Sequence, residues 1–168
     1  MTNLETLKQQ TADMEAKLKE MKSEIDRLEN GWEMKCPYEI GDEYFALNHR
    51  GSIIETSWDN HCVDEERLEF GNTFPTKQAA ELEVKRRNLL TRFRAFRDEC
   101  NGGWKPDWKK DDAKYYFYIS STDGEIGIND IYFYEMFPLF GYFKNEQDAQ
   151  RAIELFGDEI KELFVDGE

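Results

Sequence analysis

The side chains best suited to nucleophilic or metal chemistry in this chain are Cys36, Cys62, Cys100, His49 and His61. Zinc sites draw such residues from closely spaced pairs, and neither C-x-x-C nor H-x-x-x-H occurs, so no metal site is expected. An odd number of widely spaced cysteines fits free thiols in a reducing compartment better than a disulfide framework. His61 and Cys62 are a base and a nucleophile by type, but neighbours in an extended chain point apart. Carboxylates are plentiful, yet no pair is singled out by spacing; Asp59, Asp64, Glu65 and Glu66 read as a solvated loop and a helix start. There is no G-x-S-x-G, P-loop, H-E-x-x-H or G-x-G-x-x-G. The expectation is a protein without catalytic residues or cofactors, one that is not an enzyme.

Binding is the remaining chemistry, and aromatic and charged residues would carry it. Aromatics make up 14% of the 168 residues, too many for a disordered acidic chain, so the net charge of −14 belongs to a folded body. That charge is unevenly shared: residues 32–75 carry −7 and 125–168 carry −8, whereas 76–110 carry +5. Direct nucleic-acid binding is not expected from so acidic a surface, although acidic flanks would also suit imitation of DNA. The basic stretch, with Lys85, Arg86, Arg87, Arg92, Arg94 and Arg97, either meets a phosphate or an acidic partner or lies against acidic neighbours of its own chain. Tyr116, Tyr118, Tyr132 and Tyr134 gather on an outward face and form a candidate contact surface, since each ring supplies area and a hydroxyl with little entropy to lose. Trp58 and Arg67, with Arg86 and Arg87, complete the candidate binding residues.

Two segments of similar pattern must position these groups. Tyr44-Phe45-Ala46-Leu47 through Ile53 and Tyr116-Phe117-Tyr118-Ile119 through Ile126 each read as a hairpin, with the two sequences aligned Phe45 over Phe117. Alternation places Phe45, Leu47, Phe117 and Ile119 in the core and Tyr44, Tyr116 and Tyr118 outside. Ile131-Tyr132-Phe133-Tyr134 reads as a further strand. Downstream, Phe74 aligns with Phe143, Thr76 with Asn145 and Ala80 with Ala149, the second position of each set starting a helix as its N-cap. Trp32 and Trp104 stand thirteen residues before Phe45 and Phe117. The first helix carries Ala79, Leu82, Leu89, Phe93 and Phe96 and stops at Asn101-Gly102-Gly103; the second carries Ala149, Ile153, Phe156, Ile160 and Leu163. The fold class predicted is α+β: an N-terminal coiled-coil helix, 1–32, then two repeated β-β-β-α units at 33–100 and 111–168, joined by a linker at 101–110.

The N-terminal helix is predicted from a heptad seam: Leu4, Leu7, Met14, Leu18, Met21, Ile25, Leu28 and Trp32, broken only by Thr11. Such a narrow stripe is an oligomerisation device. With Leu4, Thr11, Leu18 and Ile25 at a, a parallel pair would oppose Lys17 to Lys22 and Glu24 to Glu29. An antiparallel pair matches Lys8 with Glu29, Glu15 with Lys22 and Lys17 with Glu24, so an antiparallel homodimer about a rod of ~45 Å is expected. No run approaches ~18 apolar residues and Met1-Thr2-Asn3-Leu4-Glu5 lacks the layout of a signal peptide, so no membrane association and a cytoplasmic location are expected.

Ser57-Trp58, Asp64, Arg67-Leu68 and Gly71-Asn72-Thr73-Phe74-Pro75-Thr76 through Glu81 resemble a pattern in small, uncharacterised accessory proteins of bacteriophages and prophages of Gram-positive bacteria. The resemblance covers about a quarter of the chain and rests on a Gly-Asn-x-Phe-x-Thr turn that opens a helix. Its content is structural: a turn glycine, a buried phenylalanine and a helix cap. It implies origin and fold more than chemistry. Small phage proteins of this sort often act by binding and many counter host defences, so the leading expectation is a phage-encoded binding protein in the cytoplasm of an infected bacterial host that inhibits a defence factor through its acidic and aromatic surface. Two alternatives keep their place: a protein that sequesters a nucleotide-like signal between tyrosines and arginines, and a virion or assembly component.

Overall fold

A computed structural model describes residues 3–31 and 34–167. The chain divides into two units, Met1–Glu39 and Ile40–Glu168. The first contains one long helix, α1 (Asn3–Asn30). Along it Leu4, Leu7, Met14, Leu18, Met21, Ile25 and Leu28 are all at least half exposed. Thr11, the polar residue on the seam, turns its hydroxyl back to donate to Leu7 O at 2.9 Å, so it leaves no unsatisfied group on the stripe. Trp32 and the side chain of Glu29, both part of the expected pairing, lie outside the described residues.

The second unit is α+β, with two hairpins and three helices. Its first half contains β1 (Glu43–Leu47) paired antiparallel with β2 (Ile53–Ser57), then a short α2 (Cys62–Glu69) and a long α3 (Lys77–Asn101). Its second half contains β3 (Lys114–Ile119) paired antiparallel with β4 (Ile126–Ile131), and α4 (Glu146–Phe164). In place of a third strand each half has one bridge, Phe45 to Phe74 and Tyr115 to Phe143, each closed by a reciprocal pair of backbone hydrogen bonds. The bridges set Phe45 against Tyr115 as equivalents, two residues from the expected match to Phe117. A strand repeats every two residues, so that slip leaves the inward and outward faces unchanged.

The turn pattern that opens α3 acts structurally at every position. Gly71 takes a left-handed φ of 63°. Asn72 clamps β1, accepting from Leu47 N at 2.9 Å and donating to Leu47 O at 2.8 Å. Phe74 makes the bridge and is half-buried rather than buried, and Thr76 caps Ala79 N at 3.1 Å. Asn145 occupies the same N-cap position before α4 but makes no cap with its side chain, which bonds Asp148 instead. Gly102, in the left-handed conformation, ends α3.

The core lies between α3, α4 and the second hairpin and is largely aromatic. Phe93 is fully buried with the rings of Phe117, Phe140, Phe143 and Phe156 at 4.7–5.8 Å. Leu89, Ala149, Ala152, Ile160 and Leu163 close the cluster. Small alanines on α4 let the helix approach rings that fill the space opposite.

Two expected faces are corrected. Tyr44 is fully buried, not outward, because Trp58 and the start of α2 cover it: its hydroxyl donates to Asp64 Oδ1 at 2.7 Å and accepts from Arg67 Nη1 at 2.9 Å. Ile119, expected in the core, is exposed near the hairpin turn. The strand expected at residues 131–134 ends at Ile131, whose partner Lys114 is the first residue of β3; no neighbouring strand remains for Tyr132 to pair with.

Candidate functional site

Residues 132–139 follow β4 and form a loop with six large apolar side chains exposed: Tyr132, Phe133, Tyr134, Met136, Phe137 and Leu139. Tyr134 is 74% and Phe137 91% exposed. Contiguous apolar exposure on this scale marks interaction surfaces in folded proteins, because water gives such rings no compensating contact.

The loop is fastened at its start, middle and end. Lys114, 1% exposed, sends its ammonium into three carbonyl oxygens: Tyr132 O at 2.9 Å, Lys110 O at 2.9 Å and Asp112 O at 2.6 Å. The Trp108 ring lies 5.4 Å from the same nitrogen and shields it from water. In the middle, Tyr142 Oη accepts from Met136 N at 2.7 Å; burial pushes this phenol above its ordinary value, so it stays neutral. At the end, Arg97 Nη1 donates to Phe140 O at 3.1 Å while Asp98 holds the rest of the guanidinium. Gly141 takes a left-handed φ of 71°, which favours glycine, and a Cβ there would push the Arg97 guanidinium aside. Asn101 at the end of α3 then clamps the returning chain, donating to Tyr142 O and accepting from Lys144 N, both at 2.9 Å. The exposed rings therefore stand on an anchored backbone, which lowers the entropy that binding must overcome.

Carboxylates accompany the rings. Tyr132 Oη donates to Asp130 Oδ2 at 2.9 Å, which raises the phenol above its ordinary value, with Asp111 adding to the effect. Glu135 sits within the loop and is exposed. Carboxylates thus stand both at the start of the loop, at Asp130, and among its rings, at Glu135.

The expected binding residues do not form one site. Tyr132 and Tyr134 lie on the loop. Tyr118 is exposed near the hairpin turn, its ring across Gly127 of the partner strand. Four strand residues, ~13 Å by strand rise, separate it from the loop end. Tyr116 is half-buried, edge-on to Tyr142 at 6.2 Å. Trp58 is buried against Tyr44, and Arg67 serves the Tyr44 and Asp64 pair. Arg86 donates to Leu163 O at 2.7 Å and stacks on Phe164, and Arg87 pairs with Glu83 at 2.6 Å. Four of these five are held against other parts of the fold, and Arg87 is held by an exposed pair within α3. Missed from sequence were Phe133, Met136, Phe137 and Leu139; the run Tyr132–Leu139, apolar at six of eight positions and ending beside Pro138, was the available signal.

His61 and Cys62 also differ from expectation. His61 is the N-cap of α2, which turns its Nδ1 to 3.4 Å from Cys62 Sγ rather than away from it. The same nitrogen faces Val63 N at 3.5 Å and so acts as a helix cap. Among the described residues no group of three or more His, Cys, Asp or Glu side chains converges to hold a metal ion, and no described helix is long and apolar enough to cross a membrane. Comparison with protein-family models, with curated proteins and with solved structures returned no match.

Proposed function

We propose that this chain is a non-enzymatic protein-binding module, phage-encoded, that engages a partner protein through residues 132–139 and acts as a dimer through α1. The carrying observation is the anchored loop: six exposed apolar side chains on a backbone held by Lys114, Tyr142 and Arg97. A surface so arranged satisfies the usual description of a hot spot, aromatic anchors within a polar rim. Its carboxylates, Asp130 and Glu135, suit a partner that brings basic side chains, which a factor that handles nucleic acid in host defence would supply.

The dimer rests on the exposed stripe of α1, about 42 Å long by helical rise. An antiparallel pair would cover the seam while matching Glu15 with Lys22 and Lys17 with Glu24. The two halves of the second unit are best understood as copies of one unit, a hairpin and a single bridge ahead of a helix, with α2 an addition to the first; the paired bridges at Phe74 and Phe143 are the support. A nucleotide-sequestering role has less in its favour, because Arg67, Arg86 and Arg87 already bond groups within the chain.

The test is functional. In a Gram-positive host carrying an anti-phage defence system, the full chain should restore plating of a phage that the system blocks, and Phe133→Ser with Tyr134→Ser should abolish the effect at equal protein level. Restoration by the double variant at wild-type strength would remove the loop from the function. Recovery of the chain in purified particles, with no effect on plating, would favour a virion component.

A further inference from the structure

Beside the loop, a groove of ≈ 760 Å³ runs between the end of α3, residues 103–106 and residues 135–142. We propose that it receives an extended, proline-rich segment of the partner that carries a basic residue; this deepens the protein-binding reading and rests on it. The walls are Trp104, Pro106, Phe137, Pro138 and Tyr142, aromatic and proline surfaces of the kind on which pyrrolidine rings pack. Several side-chain acceptors that line it are already engaged. Asp98 Oδ1 takes two bonds from Arg97, Asn101 Oδ1 takes Lys144 N, and Tyr142 Oη takes Met136 N.

A peptide lying here brings one N–H per residue, and each N–H left without an acceptor is desolvated without compensation. Proline has no N–H, so a proline-rich segment avoids that cost, and its polyproline II shape is formed before binding. What such a segment offers is carbonyl oxygen. The indole N–H of Trp104 has no hydrogen-bond partner among the described residues and is the matching donor. Charge sets the flank. Arg97 is neutralised by Asp98, whereas Glu135 has no ion-pair partner among the described residues. A basic residue of the segment therefore belongs at the loop wall. Lys105, on the other wall, polarises the groove and disfavours a cation there.

The experiment follows the Trp104 indole N–H of the full-length chain by two-dimensional NMR, assigned by its loss in Trp104→Phe. Three peptides of equal length are titrated: octaproline with an arginine at one end, octaproline with a glutamate at the same end, and a glycine-serine repeat with the same arginine. The arginine-bearing octaproline should shift the indole saturably and bind about tenfold more tightly than either comparator. Glu135→Lys, with an unchanged melting temperature, should erase the preference for arginine over glutamate. An unmoved indole at millimolar peptide, or equal binding of the glycine-serine peptide, overturns the proposal. So does a shift produced by adenosine monophosphate and by none of the peptides, which would make the groove a small-molecule site. The loop reading fails separately: if Phe133→Ser with Tyr134→Ser abolishes the plating effect while the peptides leave Trp104 unmoved, the loop stands and the groove falls.

Discussion

Lys114→Met removes a buried ammonium while keeping a stem of similar length, and its cost can be worked from the three bonds that the nitrogen makes. Each joins a charged donor to a backbone carbonyl at 2.6–2.9 Å. Such bonds contribute about 1.5–3 kcal/mol apiece, or roughly 5–9 together. Against this stands the desolvation of the ammonium, several kcal/mol, which methionine does not incur. Lys110 and Asp112 are exposed residues, so water can replace part of what their carbonyls lose. A net loss of about 2–3 kcal/mol remains, concentrated on Tyr132 O. For the unit Ile40–Glu168 that corresponds to a melting temperature lower by about 10 °C. The assay is thermal unfolding of the full chain followed by tryptophan fluorescence, since the Trp108 ring lies 5.4 Å from the lysine nitrogen. Lys114→Arg should fail to rescue, because a planar guanidinium cannot direct three bonds into one converging set of carbonyls. A Lys114→Met protein that melts within about 2 °C of wild type would refute the reasoning. The loop would then owe its position to packing alone.

Lys22→Glu should weaken an antiparallel dimer about tenfold, because Glu15 of each chain would meet a like charge twice per dimer; a parallel dimer would be strengthened, since Lys17 faces position 22 there. Sedimentation equilibrium distinguishes the two signs, and a monomeric wild type would defeat both. Burial raises the Asp64 pKa, but this is outweighed by bonds from Tyr44, Asp59 N and His61 N and by the Arg67 charge, so it is lowered overall. Its contribution is therefore present above the unfolded value of about 3.9 and is lost as pH falls through the lower folded value; Asp64→Asn should flatten the stability profile in that acid window. Phe93→Ala should cost about 3–5 kcal/mol, read as a lower denaturant midpoint, because four rings lose their common contact.

The helices were legible because an apolar stripe with a 3.6-residue period needs no knowledge of the partner element. Leu89, Phe93, Ile160 and Leu163 fall on the core as their spacing requires, and Gly102 stops α3 where a left-handed residue is needed. Strand faces were less legible, since period two distinguishes two sides without saying what covers them. Tyr44 could be assigned inward only with knowledge that α2 brings Asp64 and Arg67 to its hydroxyl. Lys114 carried no local signal at all: a lysine opening a strand is ordinarily exposed, and its carbonyl at Tyr132 lies eighteen residues away. The same distant relation misled the reading of Tyr132–Tyr134, whose residue types favour a strand but whose neighbour strand begins only at Lys114. The loop was thus invisible as a loop, although its rings were plain in the sequence.

The basic helix α3 decides what kind of charge the molecule presents. Arg92 bonds Glu159 of α4 through both carboxylate oxygens, Lys85 lies 3.6 Å from Glu162, and Arg86 reaches Leu163 O at the end of α4. Exposed pairs of this kind contribute about 0–1 kcal/mol each, so their main consequence is not stability. They offset part of the positive stretch against α4, and the net charge of the chain remains −14. A phosphate approaching Arg92 would have to displace Glu159, and it would cross a negative field to do so. A basic-rimmed protein gains from that same field. Its association with residues 132–139 should therefore slow as salt rises, while its dissociation, set by the buried rings, should change little.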